Sequence, residues 1–171
     1  VMRNLKSNGY HIVSFFAGNE AIGSENLIDE KICGQNFYIN NYLGSLFPSK
    51  LLEEKRTGIL CTFEKISEIS EKTSKPIFVF AHMSIPHKPF VFDENGNPID
   101  QDLQDYSQKE LYLEQLKFAN EMTIITIDKI LSNSERASII IIQSDHGERT
   151  EVNWSEPTEA MILQGLNNLN A

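Results

Sequence analysis

Ile139, Ile140, Ile141 and Ile142 run without a break into Gln143-Ser144-Asp145-His146-Gly147-Glu148. An apolar run of β-branched residues with no polar alternation is the pattern of a strand covered on both faces, and such strands belong to parallel sheets. Ile77-Phe78-Val79-Phe80-Ala81-His82 has the same character and is set off by Lys75-Pro76. Between the two runs, Ser107 to Leu131 places Leu111, Gln115, Phe118, Met122, Ile125 and Ile130 near one another on a helical wheel, and Ser107 with Glu110 forms a capping-box pattern at its start. Strand, crossover helix and strand in that order predict a right-handed parallel unit. The fold class read from the chain is therefore α/β, a mostly parallel sheet flanked by helices.

The remaining segments fit the same plan. Tyr10 to Phe16 reads as a first short strand, followed by an irregular region through Gly34, Asn40 and Asn41. Leu43 to Ser70 carries Leu51, Leu52, Ile59, Leu60, Phe63, Ile66 and Ile69 at helical spacing and is expected to form two helices. Asp93-Glu94-Asn95-Gly96-Asn97-Pro98 is a turn signal, and the stretch from Met83 to about Asp105 is long enough to be functional rather than a mere connection. With 171 residues and 40% hydrophobic content, residues 1–171 can bury a core as a single domain.

Ligands of parallel sheets bind beyond the carboxyl ends of the strands. Asp145 and His146 sit at such an end, an oxygen donor beside a nitrogen donor, as suits a divalent metal. The same residues also suit an ordinary loop after a strand. His82 and His87 occupy the corresponding place after the Ile77 run, where His82 either orients a ligand or packs at the strand end. Lys88 either meets an anionic oxygen or is solvated, and Glu148 either hydrogen-bonds an imidazole or is a loop charge. His11, inside the first strand, reads as structural.

Phe80-Ala81-His82-Met83-Ser84-Ile85-Pro86-His87-Lys88-Pro89-Phe90-Val91-Phe92, followed by Ser144-Asp145-His146-Gly147-Glu148, resembles the C-terminal half of a sulfatase-type domain of the alkaline phosphatase superfamily. The nearest likeness is to the membrane-linked branch of lipoteichoic acid synthases and phosphoethanolamine transferases. Tyr112 to Asn120 and Leu5 to Val13 resemble further segments of that domain, so the likeness spans most of the chain. The resemblance implies that Asp145 and His146 hold a catalytic divalent metal and that His87 lies at the sulfuryl or phosphoryl oxygens of the substrate. It also implies that the nucleophile and a further acidic ligand precede Val1, so that these residues are a piece of an incomplete sulfatase-like domain that is inactive alone. No histidine follows His146, where many members place another basic residue, and Arg149 is the only basic one there.

The function implied is a metal-dependent hydrolase or transferase acting on an anionic sulfate or phosphate ester, with phospho-head-group transfer at the extracytoplasmic face of a cell membrane as the finer expectation. The alternative is a non-catalytic relative that binds an anionic ligand or a protein partner. A mixed imidazole and carboxylate site suits zinc or manganese, with calcium or magnesium less favoured by the nitrogen donor.

The formal charge of −9, from 24 acidic and 15 basic residues, argues against nucleic acid as a partner. No apolar stretch is long enough to span a bilayer and no signal peptide is visible; the membrane anchor implied by the resemblance belongs to a longer parent. Cys33 and Cys61 fit no zinc-ribbon spacing and are either two free thiols or one bridge. A sheet lacking N-terminal strands would expose an edge, and a homodimer is expected on that ground.

Overall fold

The computed structural model describes residues 1–17, 25–33, 48–69, 74–99 and 107–144. The chain divides into two compact units, Val1–Ser138 and Ile139–Ala171.

Among the described residues the first unit is built on an open, all-parallel sheet of three strands in the order β2-β1-β3, where β1 is His11–Ala17, β2 is Glu30–Ile32 and β3 is Ile77–Met83. β1 pairs along its whole length with β3, from His11 opposite Ile77 to Ala17 opposite Met83, and over Val13 to Phe15 with β2. As the central strand it is covered on both faces: Ile12, Val13, Ser14 and Phe15 are all buried. The run at Ile77, expected to be covered on both faces, forms β3 but is only half-buried along its length, at the end of the described sheet. Helix α1 (Met2–Ser7) delivers the chain to β1 through Gly9, whose φ of +82° lets its own N–H reach Lys6 O and that of Tyr10 reach Leu5 O. This is a Schellman closure, in which glycine takes the left-handed position without steric cost.

Helix α2 (Pro48–Ile66) is one continuous element where two helices were expected. It runs straight through Gly58, since burial of Leu52, Ile59 and Phe63 outweighs the roughly 1 kcal/mol that a mid-helix glycine costs. Leu52, Ile59 and Phe63 pack with Val91, Phe92 and Phe118 into one core cluster, while Ile66 and Ile69 pack with Val13, Phe15, Val79 and Ala81 on the sheet. Helix α3 (Gln108–Asn133) starts at a complete capping box, with Ser107 Oγ accepting from Glu110 N at 3.2 Å and Ser107 N donating to Glu110 Oε2 at 2.8 Å. Its buried face holds Leu111, Gln115, Phe118, Ala119 and Thr126. Ile125, expected on that face, is exposed instead, and Met122 is packed at the edge of the core.

Cys33, at the end of β2, is disulfide-bonded to Cys61 of α2, which resolves the two readings of the thiols in favour of a bridge. β2 lies in the region read as irregular from the sequence; a strand of three residues is too short to show a period.

The described part of the second unit, Ile139 to Ser144, has no regular element. The expectation of a buried strand at Ile139–Ile142 is corrected: all four side chains are exposed, Ile139 to 92%, and among the described residues the run pairs with no strand. Isoleucine favours strands because it fits a pleated, packed surface, so the preference has no effect without a ladder partner. No helix among the described residues is long and apolar enough to cross a membrane.

Candidate functional site

β3 opens at its carboxyl end into Ser84-Ile85-Pro86-His87-Lys88-Pro89, and the chain then dives back into the core at Phe90, Val91 and Phe92, all buried. The return is anchored from three sides. Phe90 packs with Ile99 and Leu111, Val91 and Phe92 join the α2/α3 core, and Val91 O accepts from Ile99 N at 3.2 Å. Gln115, fully buried in α3, accepts at Oε1 from Val91 N at 2.7 Å and from Phe92 N at 3.3 Å. A short turn closes beyond Phe92, where Asp93 Oδ1 accepts from Asn95 N and Asn97 N. Buried anchors after the exposed segment fix where that segment stands.

His87 and Lys88 form the exposed part of this loop. The Nδ1 of His87 lies 2.6 Å from Lys88 O. A carbonyl only accepts, so the ring proton sits on Nδ1 and Nε2 is left for a ligand. The Lys88 ammonium stands 5.9 Å from the centroid of the Phe90 ring, a cation–π contact on the protein's own surface. His82 is the last residue but one of β3, half-buried and opposite Phe16 of β1, so it belongs to the strand rather than to the loop beyond it.

Behind the loop stands a residue that the sequence reading passed over. Lys55 of α2 is only 9% exposed, and its Nζ donates to His87 O at 2.6 Å and to Pro89 O at 2.9 Å. Burial pushes its ammonium down to about 7, against which the two carbonyl oxygens favour the charged form. Gln115 Nε2 also approaches His87 O, at 3.5 Å. The signal for Lys55 was present in the sequence: it falls on the apolar stripe of α2 with Leu52, Ile59 and Phe63, where an unpaired lysine would be costly.

Among the described residues no group of three or more His, Cys, Asp or Glu side chains could hold a metal ion. Asp145 and His146, the pair assigned to a metal from the sequence, and Glu148 beside them lie outside the described residues. The structure therefore brings His87 and Lys88 together on one loop, places His82 upstream in β3, and adds Lys55 and Gln115 as the groups that hold the loop.

Just beyond the carboxyl end of a parallel strand, the exposed imidazole has Nδ1 engaged and, among the described residues, Nε2 open, an acceptor in the neutral ring and a donor to an anionic oxygen in the protonated one. Comparison with curated proteins and with solved structures finds no match to the chain. The family model described as Sulfatase matches residues 1–169, almost the whole of the chain, which therefore belongs to the sulfatase family of the alkaline phosphatase superfamily.

Proposed function

We propose that this chain contributes to the active site of a metal-dependent enzyme that acts on sulfate or phosphate esters, releasing the transferred group to water or passing it to an acceptor hydroxyl. Sulfatase-family membership suggests ester hydrolysis, and members of the family generally use divalent metals. The finer reading is transfer of a phospho-alcohol head group at the extracytoplasmic face of a membrane. It is supported by the likeness of the Pro86-His87-Lys88-Pro89 and Ser144-Asp145-His146-Gly147-Glu148 motifs to the membrane-linked branch.

The observation that carries the proposal is the placement of His87. Sulfuryl and phosphoryl transfer develop charge on non-bridging oxygens, and the protein's part is mostly to position and neutralise. With Nδ1 engaged by Lys88 O, the imidazole meets such an oxygen through Nε2, as a donor when protonated. Lys88 adds a second cation one residue further on, after leaving its contact with Phe90. Asp145 and His146 offer the carboxylate and imidazole that suit zinc or manganese, less so calcium or magnesium. A divalent ion bound by these two residues would supply charge neutralisation for the transferred group. His82 and Glu148 are assigned to orienting these groups.

The test is turnover of aryl sulfate and aryl phosphate esters by the full-length protein with zinc or manganese, beside calorimetric metal binding. Asp145→Ala with His146→Ala is expected to abolish metal binding. His87→Ala is expected to keep it while losing about 10²–10³ in kcat, the usual cost of one donor to a developing oxyanion. Absence of metal-dependent turnover of either ester, or undiminished turnover by His87→Ala, would overturn the assignment.

A further inference from the structure

We infer that Lys55 is a positioning residue for His87, acting from helix α2 through the backbone of the loop rather than by touching the substrate. The inference rests on the reading of His87 just given.

Three successive carbonyls, of His87, Lys88 and Pro89, are all engaged, but not by the same donor. Lys55 Nζ takes the first at 2.6 Å and the third at 2.9 Å. The one between them accepts from the Nδ1–H of His87 itself, at 2.6 Å. By gripping the outer two, Lys55 sets the peptide orientation that leaves the Lys88 carbonyl to the imidazole. That carbonyl in turn fixes the ring's tautomer and frees Nε2. The loop has few donors of its own for this purpose, since Pro86 and Pro89 have no N–H.

The chemistry of the position supports the assignment. An apolar side chain would fill the stripe between Leu52 and Ile59 without desolvating an amine, so a buried lysine there is costly unless its hydrogen bonds are made. They are made, and among the described residues they go to the segment that carries His87 and Lys88. An amine keeps at least two hydrogens whether or not it is charged, so the grip does not depend on its protonation state. Gln115, across the loop in α3, holds Val91 and Phe92 and approaches the same His87 carbonyl. The exposed imidazole is thus referenced to both helices.

The test uses Lys55→Met in the full-length protein, alone and combined with His87→Ala, with two readouts. One is kcat and KM on the aryl esters, and the other is the ¹⁵N signals of the His87 ring in histidine-labelled protein. Lys55→Met is expected to lower kcat by up to about 10²-fold, as misplacement of a reacting group does, with no further loss in the His87→Ala background. The His87 ring is expected to change from one Nδ1–H tautomer to a mixture. Unchanged ring signals, or the same fractional loss of turnover in both backgrounds, would overturn the inference. Should Lys55→Met fail to give a cooperative melt, Lys55→Gln, which removes the charge and shortens the reach, is read in the same way. If His87→Ala itself keeps full turnover, the functional assignment of His87 fails, and the ring signals then decide the positioning role on their own.

Discussion

Gly96 and Phe118 are in such close contact that a Cβ on the glycine would stand 2.7 Å from Cε2 of the phenylalanine ring. Gly96 also has φ of +80°, a left-handed backbone that side chains with a Cβ rarely adopt. Phe118 is itself buried against Phe92 and Val91, so the ring has little room to give. Gly96→Ala is therefore expected to destabilise the protein by about 1–3 kcal/mol, measured by urea unfolding. An unchanged midpoint would show that the turn relaxes away from α3.

Gln115 stabilises the same region by polar contacts. Gln115→Leu puts an apolar side chain in its place and leaves the buried N–H groups of Val91 and Phe92 without their acceptor. A loss of about 1–3 kcal/mol is expected. Hydrogen exchange at Val91 is expected to accelerate, whereas a role limited to filling space would leave it slow.

The Cys33–Cys61 bridge spans a sequence separation of 28 and ties β2 to α2. Chain-entropy reasoning puts its contribution at about 3–4 kcal/mol. The unfolded, unreduced protein is expected to show no free thiol. Cys33→Ser with Cys61→Ser is expected to lower the thermal midpoint in the absence of reductant, and reductant is expected to have no effect on that double variant. A bridge of this kind persists in an oxidising compartment.

Asp29 contributes a pH-dependent part of the stability. Its Oδ2 accepts from Ile12 N at 2.8 Å, and Lys6 and His11 face the same carboxylate. The Ile12 amide first and the Lys6 ammonium second hold its pKa below the usual 3.8. A carboxylate depressed on folding contributes stability that is fully present above its unfolded pKa and is lost as pH falls through the folded one. The stability difference between the wild type and Asp29→Asn is therefore expected to be constant near neutrality and to shrink as pH falls below about 4. A difference that persists unchanged at pH 2 would place the effect elsewhere.

Parts of the architecture were legible because they are written in short-range pattern. β1 and β3 appear as apolar runs, the capping box of α3 is visible in Ser107 and Glu110, and the histidine-bearing loop is marked by its prolines and by the turn at Asp93 to Pro98. Among the described residues Leu43–Ser70 holds one helix where two were expected, because burial along α2 overrides the local cost of Gly58. Ile139–Ile142 carried the strongest strand signal in the chain and forms no strand among the described residues, since strand propensity is realised only against a paired and packed neighbour.

By itself the sequence determined the parallel α/β class, the first strand, the cap of α3 and, through its motifs, the sulfatase family. The tertiary structure alone decided that Cys33 meets Cys61, that Glu30–Ile32 is a strand, and that Lys55 and Gln115 converge on the carbonyl of His87. The division follows from range. Periodicity and caps arise from residues a few positions apart, whereas a lysine on an apolar helical stripe acquires its meaning from a carbonyl 32 residues away that only the folded chain brings within hydrogen-bond distance.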